Sequence, residues 1–266
     1  MRSDFPLKEK YGFDDLVKIM RVLRGPGGCP WDAEQTHASI RKNFIEETYE
    51  AIEAIDAQDS VLLQEELGDV LLQVIYHAAM EEEQGNFSID DVCDGVCKKL
   101  VIRHPHIFGD VKADTAEEVL SNWETIKQQE KGQKTATETL KSVPKVLPAL
   151  MRAEKIQKRA SRAGMDYDSA ADALRDLRSE TDELEDAMKN GSAHEQALEL
   201  GDLLFSVVNV SRFIGADAEE SLGLSCEKFV KRFALVEELA CQRGIDMKTA
   251  GIQKLDELWG EVKKGC

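Results

Sequence analysis

The sequence predicts an all-α protein that contains two tandem copies of one helical-bundle unit. Apolar residues in the long segments recur at steps of three and four, which is the period of a buried helix face. Proline and glycine concentrate at 25–30 (GPGGCP), and Pro144 and Pro148 mark a second break. With 266 residues, of which 42% are hydrophobic, the chain can bury a substantial core.

The first long helix is predicted over 44–57, which reads FIEETYEAIEAIDA. Its apolar stripe is expected to face the core, and it comprises Ile45, Tyr49, Ile52 and Ile55. The next helix carries VLLQVIYHAAM at 70–80, directly after Asp69. It is apolar on most of its circumference, so a buried position is expected.

The second half of the chain repeats the motifs of the first half. LGDVLLQV at 67–74 matches LGDLLFSV at 200–207, and CKKLVIRH at 97–104 matches CEKFVKRF at 226–233. The polar stretch 127–142 separates the two halves. We therefore predict one domain over residues 1–134 and a second over 135–266.

Each half contains the same four acidic residues in the pattern E-x-x-E followed by E-x-x-D. A spacing of three places both acids of a pair on one helix face. If two such faces meet in a bundle, the carboxylates repel one another unless a cation lies among them, and Mg²⁺ is the natural candidate. The acids are Glu47, Glu50, Glu66 and Asp69 in the first half and Glu180, Glu183, Glu199 and Asp202 in the second.

A single E-x-x-E in a chain with 51 acidic residues is most often a solvated helix face. Its duplication in register favours the metal site. A carboxylate-bound Mg²⁺ keeps positions open for phosphate oxygens, which indicates phosphate chemistry. Basic residues later in each half either neutralise those phosphates or form a solvated face: Lys98, Lys99 and Arg103, and Lys228, Lys231 and Arg232.

Composition argues against several classes of protein. The net charge of −17 opposes binding to nucleic acid over most of the surface. The six cysteines contain no CxxC pair and fit reduced thiols. The N-terminal MRSDFPLKEK lacks an apolar signal core, and the longest uncharged run is about half a membrane span. We therefore expect a cytoplasmic protein without a membrane partner.

Several motifs together resemble the MazG nucleoside triphosphate pyrophosphohydrolases in their two-repeat form. The resemblance covers nearly the whole chain, and no single motif carries it alone. The motifs are GGCPWD at 27–32, EETYE at 46–50, EELGDVLLQV at 65–74, RHPHIFGD at 103–110, LPALMRAEKIQKRA at 147–160 and LELGDLLFSVVN at 198–209.

The resemblance implies hydrolysis of NTPs and dNTPs between the α and β phosphates, with Mg²⁺ as cofactor and Mn²⁺ as a possible substitute. It implies a helical bundle that works as a homodimer. The family's metal ligands correspond to the four acids of each half. Phosphate contacts correspond to Lys228 and Arg232, with Lys231 in the same cluster, and Trp259 is expected near the nucleotide.

The two repeats differ at the start of the acidic motif. The first contains the adjacent pair Glu46 and Glu47, whereas the second contains Ser179 and Glu180. The residues alone favour the first repeat as the active one, while the resemblance favours the second, with Glu180, Glu183, Glu199 and Asp202 as catalytic residues. Activity of the first repeat stays open.

Two other readings of the acids are a di-iron bundle and a regulatory module that binds nucleotides without turnover. A di-iron bundle needs a Glu-x-x-His from each of two helices, and only Glu34 with His37 fits. His104 and His106 are more typical of a loop than of a metal site. Trp31 fits a core position better than a base-stacking one.

Overall fold

The computed structural model describes residues 5–130, 132 and 135–265. These residues form α-helices joined by turns and loops, with no β-strand among them, so the all-α prediction is confirmed. The chain divides into two compact units, one up to Lys127 and one from Gln128 onward. The predicted boundary between 134 and 135 stays a prediction, since residue 134 lies outside the described residues.

The helices of the first unit lie between Phe13 and Glu130, and the last of them ends just beyond Lys127. They are α1 (Phe13–Arg24), α2 (Pro30–Glu34), α3 (His37–Asp56), α4 (Ser60–Glu83), α5 (Ile89–Arg103), α6 (Pro105–Phe108) and α7 (Ala116–Glu130).

The helices of the second unit lie between Ala136 and Gly265. They are α8 (Ala136–Lys141), α9 (Ala149–Arg162), α10 (Ala170–Asn190), α11 (Ala193–Ile214), α12 (Ala218–Gln242) and α13 (Ile252–Gly265).

A tight turn joins α3 to α4 and makes them a helical hairpin. Gln58 adopts a left-handed conformation with φ of 54°. The Asp59 carboxylate then accepts hydrogen bonds from the backbone N–H groups of Val61 and Leu62, at 3.0 and 3.1 Å. This cap satisfies donors that the first turn of α4 would otherwise leave unpaired. The hairpin brings the middle of α3 beside the first half of α4.

The second unit builds the same hairpin from α10 and α11 with different turn residues. A Cβ on Gly191 would lie 2.8 Å from the Ala187 carbonyl oxygen, so this closely packed turn favours glycine. Ser192 and Glu195 cap α11 reciprocally, and the Glu195 carboxylate accepts from the Ser192 N–H at 2.7 Å.

The two units have separate apolar cores. In the first, α1 packs on α4, where Val17 and Met20 join a buried cluster with Ile75 and Tyr76. In the second, α12 packs against α13, and Leu258 is completely buried there. The first core lies against α4 of its hairpin, whereas the second is formed by α12, α13 and the loop between them.

The predicted core stripe on α3 is exposed in the single chain, so the expectation that it is buried is wrong. Its four side chains are between 45 and 56% exposed: Ile45, Tyr49, Ile52 and Ile55. The helix instead buries Ile40, Ala51 and Ala54. Small alanine side chains allow close helix packing and leave the larger residues on the outer face.

Candidate metal centre and adjoining cavity

The α3–α4 hairpin brings three predicted acids of the first unit together. Glu47 lies on α3, and Glu66 and Asp69 lie one turn apart on α4. One carboxylate oxygen from each residue lies within 4.8 Å of the others. All three side chains are half-buried.

The α10–α11 hairpin repeats this arrangement in the second unit. Glu180 from α10 meets Glu199 and Asp202 from α11, again with carboxylate oxygens within 4.8 Å of one another. Glu180 and Glu199 are half-buried, whereas Asp202 is exposed. The convergence of acids across two helices is therefore present in both repeats.

The fourth acid of each set lies outside these three-residue groups. Glu50 and Glu183 are both exposed. Glu183 accepts a hydrogen bond from the Ser179 hydroxyl at 3.2 Å. Metal ligation by Glu50 and Glu183 thus stays a prediction, and each lies one helical turn from the acid that does converge.

Partial burial and neighbouring negative charges raise the pKa values of Glu47, Glu66 and Glu180. Partial burial raises the pKa of Glu180 above its ordinary value, and the charges of Glu183, Asp176 and Asp202 raise it further. Burial likewise raises the pKa of Glu47, followed by the charge of Asp69. Burial and the charges of neighbouring acids raise the pKa of Glu66 as well. A bound cation would relieve this repulsion.

The donor set fits a small hard cation. Oxygens bound to one Mg²⁺ at 2.0–2.1 Å lie about 3.0 Å apart when adjacent and about 4.2 Å when opposite. The observed separations, all under 4.8 Å, need only side-chain adjustment to reach these values. Three carboxylates also leave octahedral positions open for water or phosphate oxygens.

Among the described residues, the candidate metal-binding groups consist only of Glu and Asp side chains, without His or Cys. His37 belongs to the single Glu-x-x-His. Its Nδ1 atom lies 2.6 Å from the His77 Nδ1 atom, and its Nε2 atom lies 2.6 Å from a Glu81 carboxylate oxygen. The His104 Nδ1–H donates to the Leu100 carbonyl at 2.6 Å, which fits a role in shaping the loop. These contacts give no support to the di-iron reading.

The expectation that Trp31 is a core residue is wrong, and Asp202 is also more exposed than the apolar sequence around it suggests. Asp202 is exposed rather than enclosed by apolar surface, because the large apolar residues around it on α11 are themselves exposed, among them Leu200 and Leu204. Trp31 is 61% exposed and is not a core residue. The amphipathic pattern of one helix does not show which of its apolar faces other parts of the same chain bury.

The predicted phosphate-contacting residues lie on the last helices of the second unit. Lys228 and Lys231 are exposed on α12 and Arg232 is half-buried there, and no ion pair joins them to an acid in the described ranges. Trp259 is half-buried on α13, where it contacts Phe229 at a ring distance of 5.1 Å. Substrate binding by these four residues stays a prediction.

A cavity of about 500 Å³ adjoins the carboxylates of the second unit. Glu180 and Asp202 form part of its wall, and the rest comes from α9, α10, α11 and the loop after α9. The sequence analysis assigned no role to its polar wall residues, which are Gln157, Asp166, Tyr167, Asp176, Asn209 and Arg212. The available signal was a glutamine within the otherwise apolar face of α9.

The first unit carries different side chains at the corresponding positions, and one of them, Ala79, lines a separate cavity of about 610 Å³ in that unit. In the repeat alignment, Tyr76 takes the place of Asn209 and Ala79 takes the place of Arg212. Tyr76 is 5% exposed, and its hydroxyl donates to Asp32 at 2.9–3.0 Å. Burial and this contact with Asp32 raise the pKa of Tyr76 to about 12, so it stays neutral at physiological pH.

Comparison with known proteins gives the same organisation. The model of the MazG nucleotide pyrophosphohydrolase domain matches twice, at residues 35–108 and 169–236, and each match includes one acidic hairpin. The chain belongs to the MazG nucleotide pyrophosphohydrolase family. It is therefore a nucleoside triphosphate pyrophosphohydrolase, which is a hydrolase.

Relatives match nearly the whole chain. The nucleoside triphosphate pyrophosphohydrolase of Escherichia coli K12 is 42% identical over 94% of this chain and 97% of its own length. The pyrophosphohydrolase/pyrophosphatase MazG of Thermotoga maritima is 43% identical over 95% and 96%. The uncharacterized protein YabN of Bacillus subtilis is 44% identical over 97% of this chain and 54% of its own length.

No helix in the described part of this MazG-family chain is both long and apolar enough to cross a bilayer.

The raised carboxyl pKa values predict how a divalent cation stabilises the protein at different pH values. A carboxyl whose folded-state pKa is raised contributes stability below its unfolded-state pKa and loses it as pH rises through the folded-state value. Mg²⁺ at about a hundred times its dissociation constant should add about 2.7 kcal/mol at pH 8, where the acids are ionised. At pH 5 protons compete with the ion, so the gain in melting temperature should be smaller.

Differential scanning calorimetry with and without Mg²⁺ at both pH values checks this expectation. The control is the double variant Glu47→Gln/Glu180→Gln, which should lose most of the Mg²⁺ effect at pH 8. An equal gain at pH 5 and pH 8, or a full gain in the double variant, would contradict the assignment.

Proposed function

We propose that this MazG-family chain hydrolyses NTPs and dNTPs between the α and β phosphates in a Mg²⁺-dependent reaction. The products are a nucleoside monophosphate, or its deoxy form, and pyrophosphate. The observation that carries the proposal is the position of Glu180, Glu199 and Asp202 beside a cavity of nucleoside size. The names of the Escherichia coli and Thermotoga maritima relatives, both nucleoside triphosphate pyrophosphohydrolases, support it.

The carboxylates of Glu180, Glu199 and Asp202 would hold the cation at the cavity wall. When bound, Mg²⁺ neutralises phosphate charge and makes a water molecule more acidic. Glu183 lies one turn from Glu180, is exposed, and receives only a long hydrogen bond from Ser179. Its carboxylate is therefore suited to accept the proton of the attacking water. Lys228, Lys231 and Arg232 would contact the outer phosphates, with Trp259 near the nucleotide.

The second unit is the proposed catalytic unit, because two of its converging acids line a described cavity. The three converging acids of the first unit do not line the cavity described there. In the first unit, buried Tyr76 occupies the equivalent position and α1 covers α4. Glu47, Glu66 and Asp69 could still hold a cation there. A nucleoside, however, would have to displace packed side chains.

Matched substitutions in the two units test this assignment. Asp202→Asn removes one negative ligand from the second unit, and Asp69→Asn makes the same change in the first. We expect Asp202→Asn to lower kcat/KM at least about a hundredfold, a loss typical of removing a group that stabilises transition-state charge. Asp69→Asn should retain most activity. Product analysis for each NTP and dNTP, separating pyrophosphate from orthophosphate, gives the measurement.

Loss of activity only in Asp69→Asn would move the chemistry to the first unit. No turnover of any nucleotide by the unmodified protein would contradict the proposed activity and favour a regulatory module that binds nucleotides. Orthophosphate as the first product would place the cleaved bond elsewhere in the triphosphate.

We also propose that the protein is a homodimer. The outer face of α3 exposes Ile45, Tyr49, Ile52 and Ile55, and α4 adds Leu67 and Leu71. A contiguous apolar surface of this kind usually marks an interface. The family resemblance implies that a second copy covers it.

Substitution on this face predicts a change of oligomeric state. Sedimentation equilibrium of the unmodified protein should give twice the mass of one chain. Ile52→Glu should shift the population toward monomer, since it places a charge inside the proposed interface. Ile252→Glu, at a site 71% exposed on α13, is the matched control and should leave the mass unchanged. A monomeric unmodified protein would contradict the proposal.

We place the enzyme in the cytoplasm with nucleotides rather than nucleic acid as its partners. The five described cysteines carry free thiols, which suit a reducing compartment. The net charge of −17 opposes general binding to nucleic acid. A small nucleotide can still bind where a cation reverses the local field.

A further inference from the structure

The cavity of the second unit contains a buried hydrogen-bond acceptor without a partner. Gln157 projects from α9 into the cavity wall and is only 4% exposed. Its Oε1 atom has no hydrogen-bond partner among the described residues. A buried amide oxygen left unpaired costs free energy, so a donor is expected at this point of the cavity.

The orientation of the Gln157 amide follows from its other contact. The Nε2–H group donates to the Phe205 carbonyl oxygen of α11 at 2.7 Å. A carbonyl oxygen can only accept, so the nitrogen must face Phe205 and the oxygen must face the other way. The contact between α9 and α11 thus fixes Oε1 as the free group.

Most donors elsewhere in the wall already have partners, although the described residues show no hydrogen bond for the N–H groups of the Asn209 amide. The Ser206 hydroxyl donates to Asp176 at 2.7 Å, and Tyr167 also hydrogen-bonds to Asp176. The Arg212 guanidinium donates to Asp166 at 2.6 Å and to the Asn209 amide oxygen at 2.8 Å. The remaining capacity of these walls, in Gln157 and the carboxylates, is therefore mostly that of acceptors.

We propose that this cavity holds the nucleobase and that Gln157 selects bases with an exocyclic amino group. Such a base donates N–H to Oε1, while its triphosphate extends toward Glu180 and Asp202 at the same cavity. Uracil and thymine present carbonyl oxygens where adenine and cytosine present amines, and those oxygens face acceptors unfavourably. Adenine, cytosine and guanine nucleotides are favoured over those of uracil and thymine. This inference rests on the proposed nucleotide hydrolysis.

CTP and UTP provide a matched pair of substrates. They differ in the amine or carbonyl at C4 and at the adjacent N3, which is an acceptor in cytosine and an N–H donor in uracil. The unmodified enzyme should show a kcat/KM about tenfold higher for CTP, the size expected when one buried polar group lacks its partner. Gln157→Met keeps the side-chain length but removes the acceptor. It should lower the CTP value and bring the ratio close to one, while UTP turnover persists and reports a folded enzyme.

Gln73→Met is the matched control in the first unit. Gln73 is also buried with an unpartnered Oε1, but it lines neither of the two described cavities. This variant should retain the CTP preference. Equal kcat/KM for CTP and UTP in the unmodified enzyme would overturn the proposal without any variant. Equal losses for both substrates in Gln157→Met would assign the residue to packing or to the sugar.

Binding of free nucleosides separates this inference from the proposed reaction. Isothermal titration with cytidine and uridine, without Mg²⁺, needs neither phosphates nor catalysis. Preference for cytidine that is lost in Gln157→Met would support the base site even if no triphosphate were hydrolysed. Turnover of triphosphates without a preference for cytosine would leave the reaction standing and overturn the base site.

Discussion

The main constraint on the structure is the mutual repulsion of the three carboxylates that each helical hairpin brings together. The hairpins hold oxygens of Glu47, Glu66 and Asp69, and of the corresponding acids in the second unit, within 4.8 Å. Folding must supply the free energy that opposes this repulsion, and the capped turns and apolar cores are its sources. A cation that binds only the folded arrangement returns part of that free energy. Stability and chemistry are therefore coupled at the same residues.

The duplicated hairpin is packed differently in the two units, and this difference supports the roles proposed for them. In the first unit, Met20 of α1 packs in the buried cluster with α4, and the buried Tyr76 donates its hydroxyl to Asp32. In the second, α9 spans the equivalent surface through the polar contact of Gln157 with Phe205 and leaves a cavity. The converging acids of the second unit thus adjoin a cavity, whereas those of the first unit do not line the cavity described there.

The sequence predicted the parts of the fold that local periodicity and spacing determine. The helical class follows from steps of three and four, and the convergence of Glu180 with Asp202 follows from two short spacings on adjacent helices. Because the sequence motifs are repeated, a helical hairpin predicted in one half implies the same hairpin in the other half. Family membership was predictable because several motifs, rather than one, occurred in order along the chain.

The sequence did not predict which apolar faces a single chain covers. Ile45 and Ile52 have the spacing of a core stripe, yet the α3–α4 contact uses Ala51 and Ala54. Burial on a helix depends on neighbours that are distant in sequence, and a second copy of the chain can be such a neighbour. The cavity was hidden for the same reason, because Gln157 and Asn209 come from helices far apart in the chain. A lone glutamine in an amphipathic helix has no local signature of a ligand contact.

The central claim is that the converging carboxylates are metal ligands, and direct counting of bound Mn²⁺ tests it. Electron paramagnetic resonance of free Mn²⁺ during titration measures binding without requiring turnover. The account predicts tight binding in the unmodified protein, partial loss in Asp202→Asn and in Asp69→Asn, and near-complete loss in the double variant. Unchanged binding in the double variant, or no tight binding in the unmodified protein, would contradict it.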